Sequence, residues 1–161
     1  MKNTGTLKVT TPTDTEVVMT RVFDAPRPMV FDAFNSCELL KRWFGPRGWS
    51  LVVCDGDFRV GGGWRFVLRG PDGKDMGMRG TIRELVRPER VVHTEAFDDY
   101  PGESLVTTLF AEKGGKTTVT ITVRYESKQV RDLVVASGME HGAAESYDRL
   151  AEYLQTALPP S

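Results

Sequence analysis

His93 and Glu95 lie two residues apart in the apolar stretch Val91-Val-His-Thr-Glu-Ala-Phe-Asp98, and they are the pair best suited to chemistry. In a strand, alternation puts His93, Glu95 and Phe97 on one face and Val92, Thr94 and Ala96 on the other. If the first set points inward, an imidazole and a carboxyl share an apolar interior. Burial then shifts both pKa values and suits the pair to proton transfer or to anchoring a ligand. In the opposite register both meet water and do neither. Arg79 and Thr81, on the preceding strand, are expected to share the same space, where the Arg79 guanidinium would neutralise Glu95 or a ligand carboxylate.

Other chemistries find little support. The histidines number two, and neither His93 nor His141 has the compact cysteine or carboxylate spacing of a metal site, so no metal and no cofactor are expected. His141, in Met139-Glu-His-Gly142, reads as an exposed helix position. Ser36, Ser104 and Ser146 lack the setting of a nucleophile elbow. Gly61-Gly62-Gly63 is not followed by the Lys-Ser/Thr of a phosphate loop and reads as a kink that bends a strand. Cys37 and Cys54 form no metal spacing and are read as buried or half-buried thiols in a reducing cytoplasm.

The elements that must position these residues follow from pattern. Residues 1–15 are polar and read as a flexible lead-in, followed by a single domain over 16–158. Glu16–Phe23 is a β-branched strand. After Asp24-Ala-Pro26, apolar residues recur at three and four through Trp43 and Phe44, which gives two short helices, the second capped by Ser36 with Glu38 in its first turn. Six strands follow, over 49–54, 63–69, 76–86, 91–98, 104–111 and 117–125, joined by Gly- and Pro-containing turns that make neighbours antiparallel. Ser127 opens one long helix that runs to about Ala157, before Pro159-Pro160. The expected fold is α+β: a curved seven-stranded antiparallel sheet around a long C-terminal helix, with two short helices after the first strand. A twisted sheet that grips a helix at one end can leave space at the other.

Length and charge narrow the partners. The 161 residues suffice for one domain with a sizeable core, and 40% are hydrophobic against 27% charged. A formal net charge of −1 supplies no field for nucleic acid. No apolar run approaches the ~20 residues of a membrane span, and Met1–Thr15 lacks a signal-peptide core. A cytoplasmic protein is expected, as monomer or homodimer.

The motifs in their order carry a family likeness. Phe23-Asp-Ala-Pro26, Val30-Phe-Asp-Ala-Phe34, Trp43-Phe-Gly-Pro46, Asp57-Phe-Arg-Val-Gly-Gly62, Pro71-Asp-Gly73, Pro88-Glu-Arg-Val-Val92 and the helix from Gly138-Met139 to Leu154 span residues 16–156. Together they resemble the SRPBCC superfamily, with its START-like helix-grip fold, and within it the group named after the C-terminal domain of the activator of heat-shock protein 90 ATPase. The resemblance implies an internal pocket for a small apolar or amphipathic molecule. Trp43, Phe44, Trp64, Phe66, Met78 and Met139 would line it beside Arg79, His93 and Glu95, although Trp43 and Phe44 are equally suited to plain core packing. It also implies two alternatives: a co-chaperone acting on a chaperone ATPase, and a small cyclase- or dehydratase-type enzyme using His93 and Glu95. Relatives often carry a bulky aromatic where Ala143 follows Gly142, so an inward-facing Ala143 implies a pocket that is wider or partnered differently here.

Overall fold

The computed structural model describes residues 7–100 and 102–157. Seven of its strands lie where alternation and turn residues put them: β2 (Glu16–Phe23), β3 (Ser50–Gly56), β4 (Gly63–Arg69), β5 (Asp75–Val86), β6 (Arg90–Phe97), β7 (Ser104–Lys113) and β8 (Lys116–Arg124). An eighth, β1 (Lys8–Thr10), lies inside the stretch expected as a lead-in. It pairs antiparallel with β2, Val9 opposite Met19, and so extends the expected seven-stranded sheet to eight among the described residues. Three residues with one partner strand make too weak a local pattern to see in sequence. Met1–Thr6, the start of that lead-in, lie outside the described residues.

The strands form one antiparallel sheet in the order β1-β2-β8-β7-β6-β5-β4-β3. Register shifts at Leu51/Val53 and Ile82/Glu84 put bulges in β3 and β5, which sharpen the local bend. The expected glycine kink is corrected: Gly61 and Gly62 belong to the connection between β3 and β4, not to a strand. Gly61 N–H donates to the Ile82 carbonyl and Ile82 N–H to the Gly62 carbonyl, so the connection prolongs the ladder to β5. A Cβ on Gly62 would stand 1.9 Å from the Asp57 carbonyl oxygen, which admits glycine alone.

Between β2 and β3 run α1 (Arg27–Phe34) and α2 (Cys37–Trp43). Pro26 and Pro28 occupy the start of α1, where a missing N–H costs nothing. Glu38 sits in the first turn of α2 as expected, but Ser36 makes no side-chain cap there. The long C-terminal helix is two helices, α3 (Lys128–Ala136) and α4 (Met139–Ala157). Gly138, at φ +86°, lies in the left-handed region that ends a helix, and this corrects the continuous helix. Ser127 caps α3 by accepting from Val130 N–H. No helix of the described residues is long and apolar enough to cross a membrane.

The core lies between the inner sheet face and the helices. Val17, Phe23, Val119, Leu150 and Leu154 are fully buried within it. Arg21, also inward on β2 and 2% exposed, meets Asp148 of α4 at 2.5 Å. Its Nε and Nη2 have no partner, so this one carboxylate balances a buried cation. Arg149 of α4 donates to the Gly45 carbonyl at 2.8 Å, and Ser146 Oγ accepts from Gly45 N–H, which ties α4 to the chain leaving α2. The reading of free thiols is also corrected. Cys37, at the start of α2, and Cys54 of β3 form a disulfide with Cα atoms 5.6 Å apart. Only the packing of α2 over β3 brings them together, and the case for a reducing compartment built on free thiols falls with it.

Candidate functional site

A cavity of about 250 Å³ lies between the inner face of the sheet and the helices. Each element contributes through its own periodicity. In β4, alternation sends Trp64, Phe66 and Leu68 inward; in β5, Met76, Met78, Gly80 and Ile82 fall on the inner face. The α1–α2 pair adds Phe34, Trp43 and Phe44, α4 adds Met139 and Tyr147, and α3 reaches the cavity with Val134. The rings lock one another: Phe44 lies 5.4 Å from Phe66, Trp64 4.8 Å from Phe66, and Trp43 6.0 Å from Tyr147. Trp43 serves both suggested roles, since it lines the cavity and is buried, with its Nε1 donating to the Ala33 carbonyl at 3.0 Å.

The face of β6 is now decided. Val91, His93, Glu95 and Phe97 line the cavity. Glu95 is only half-buried by surface area, yet desolvation drives its carboxyl up to about 7. The two agree if the open side of Glu95 is the cavity and not bulk water. No donor among the described residues makes a hydrogen bond to that carboxyl. Burial lowers the His93 pKa, a fall partly offset by its Nδ1 contact with the Thr94 carbonyl at 3.0 Å, so the imidazole is neutral at pH 7. Its ring meets Trp64 edge-on at 5.3 Å.

Gly80 makes room for this arrangement. It pairs with Trp64 across the β4–β5 ladder, and a Cβ on it would stand 2.6 Å from Trp64 Nε1 and 1.9 Å from the Thr94 carbonyl. The indole Nε1 therefore sits in the space that a side chain here would take, buried and without a hydrogen-bond partner among the described residues.

Three residues expected at the site are not part of the cavity. Arg79 points outward, because the even-numbered residues of β5 face in as far as the bulge after Ile82. Its guanidinium reaches Asp98 at 2.6 Å, and Arg65 grips the same carboxylate from the neighbouring strand. The expectation that Arg79 neutralises Glu95 is thus corrected, and Thr81 is exposed beside it. Ala143 is half-buried against the core but does not line the cavity. Tyr147, one turn further along α4, does. His141 is exposed as expected, 3.6 Å from Glu145.

Two cavity tyrosines were not among the expected site residues. Tyr125 follows β8, continuing the inward Ile121 and Val123, and Tyr147 follows Ala143 by four residues. Both pKa values are raised, first by burial and then by the Glu95 charge, which places both hydroxyls within its electrostatic reach. The signals were the extended alternation of β8 and the i, i+4 spacing on α4.

Comparisons with known proteins agree with this architecture. The family described as Activator of Hsp90 ATPase homolog 1-like protein matches residues 24–155. A crystal structure of a Rhodobacter sphaeroides protein is 30% identical, with a TM-score of 0.89 over 94% of this chain and all of that one. A Mycobacterium smegmatis protein is similar at 24% identity and a TM-score of 0.85, over 94% of this chain and 98% of that one. A Nitrosomonas europaea protein has the same fold at 22% identity and a TM-score of 0.82, over 91% and 97%. The search of curated proteins finds no match.

Proposed function

Since this chain belongs to the family of Activator of Hsp90 ATPase homolog 1-like proteins, whose fold wraps a sheet about a helix, we propose that it binds a small apolar or amphipathic molecule in the cavity. The observation that carries the reading is an aromatic-lined space of about 250 Å³ with a carboxyl of no partner at its wall. A fully packed core would contain neither, because buried polar groups are normally satisfied and interiors leave few voids. An apolar cavity of ~150 Å³ holds benzene, so this one takes one or two rings or a comparable aliphatic body. The aromatic and methionine walls (Trp43, Phe44, Trp64, Phe66, Met78, Met139) supply contact, and His93 and Glu95 supply orientation.

The test is native mass spectrometry of protein purified from its own host, followed by thermal shifts with lipids and aromatic compounds. A bound mass, or a melting temperature that rises with ligand concentration, is expected. Val106→Phe, which fills the cavity from β7, should abolish the shift. A shift that survives in that variant would point to binding elsewhere.

Two further readings rest on single observations. The Glu95 carboxyl, held near neutrality beside His93, suits proton transfer and hence a cyclase- or dehydratase-type enzyme. Products formed from bound compounds by wild type and lost in Glu95→Gln, with binding kept, would support it. Action on a chaperone ATPase, named in the family description, would use an outer surface such as α3, where Leu133 is 66% exposed. An ATPase assay with and without the protein decides that one, and no change in rate removes it.

A further inference from the structure

The charge balance of the cavity is one-sided. Among the described residues Glu95 is its one carboxylate, and no lysine or arginine lines it. Arg79, the cation expected there from alternation, is held outside by Asp98. Among the described residues the Glu95 carboxyl therefore has no counter-charge and accepts no hydrogen bond. The titratable groups facing it are His93 on β6, Tyr125 after β8 and Tyr147 on α4; β4, β5, β7, α1, α2 and α3 present none to the cavity. His93 is neutral, and the tyrosine hydroxyls keep their protons. Phe44, Trp64, Phe66, Tyr125 and Tyr147 line the same cavity as this carboxylate.

We propose that the cavity selects molecules that join an aromatic or apolar body to a protonated amine, with the ammonium against the Glu95 carboxylate and the body against the rings. The inference rests on the cavity being a small-molecule site, and it names the class of ligand. Three features favour the cation. An ionised carboxylate only accepts hydrogen bonds, and an ammonium offers three donors. Aromatic faces attract a cation through their quadrupoles, most strongly where water is excluded. An acidic ligand would instead bring a second negative charge into a space of low dielectric, and a neutral alcohol would leave the carboxylate's charge unbalanced. The fold has already desolvated the carboxyl, so only the ligand's ammonium must leave water on binding.

Three probes of one shape test this: 1-naphthylmethylamine, 1-naphthalenemethanol and 1-naphthoic acid, titrated calorimetrically into the full-length protein. At pH 8 the amine should bind at least about tenfold tighter than the alcohol, and the acid weakest. Amine affinity should rise roughly 30-fold from pH 5.5 to 8, the change in the ionised fraction of a carboxyl that titrates near 7. The same titration at pH 6 in buffers of different ionisation enthalpy should register a proton released from Glu95. Glu95→Gln should bring amine and alcohol to similar affinity and flatten the pH dependence; melting curves check that the variant is folded. Alcohol binding as tight as amine in the wild type, or a pH-independent amine, overturns the amine assignment and leaves the cavity a ligand site. If none of the three binds, the amine assignment is overturned, and the small-molecule reading falls with it only if native mass spectrometry and the lipid thermal shifts also show no ligand.

Discussion

Glu95 shows how one buried carboxyl ties stability to pH. Its pKa rises from 4.5 in the open chain to about 7 in the fold because the fold removes water without supplying a donor. Between those values the native state holds a proton that the unfolded chain releases. Stability is therefore fullest below pH 4.5 on this account and falls as pH rises through 7. The loss amounts to at most about 3 kcal/mol. Chemical denaturation of ligand-free protein at pH 5 and pH 8 should show this fall, and Glu95→Gln should remove it. A second residue-scale effect concerns Gly80. Gly80→Ala puts a methyl against the Thr94 backbone carbonyl and the Trp64 indole Nε1, a clash that should cost about 1–3 kcal/mol and displace the indole. Loss of stability together with a shift in Trp64 fluorescence would register both.

At the scale of elements, two of the links between helices and sheet carry predictions. Arg21 of β2 and Asp148 of α4 form a buried ion pair in which Asp148 is the guanidinium's one counter-charge among the described residues. Asp148→Ala leaves that cation buried and unbalanced, and a loss of about 3–5 kcal/mol is expected in urea denaturation. The Cys37–Cys54 disulfide joins α2 to β3 and closes a loop of 17 residues. Constraining the unfolded chain in that way stabilises the fold by about 3 kcal/mol. Denaturation midpoints with and without reductant should differ accordingly, and Cys37→Ser/Cys54→Ser should behave like the reduced protein under both conditions. Since α2 carries Trp43 toward the cavity, reduction should also weaken ligand binding there.

For the whole molecule, the sheet and helices together leave space that neither contains alone. Ligand occupying it binds the native state only, so a compound at a hundred times its dissociation constant should raise stability by about 2.7 kcal/mol. That gain should combine with the Glu95 effect. An amine balances the carboxylate's charge, so the stability lost between pH 4.5 and 7 in the empty protein should return when the amine is bound. Denaturation at pH 8 with saturating 1-naphthylmethylamine checks this, and the neutral alcohol should restore less.

Local pattern was enough to identify seven strands, the two small helices and their order, because alternation, three-and-four spacing and turn glycines act between near neighbours. It also paired His93 with Glu95 on one face of β6. What it could not supply was the sign of that face. Both faces of β6 mix apolar and polar residues, so parity sorts side chains into two sets without saying which set meets the helices. Pairing with β5 and β7, and the side on which α4 packs, made that choice. The same parity on β5 turned Arg79 to Asp98 and left Glu95 uncompensated. The disulfide, the Tyr125 and Tyr147 neighbourhood and the Arg21–Asp148 pair likewise join residues far apart in the chain, which only tertiary packing brings together.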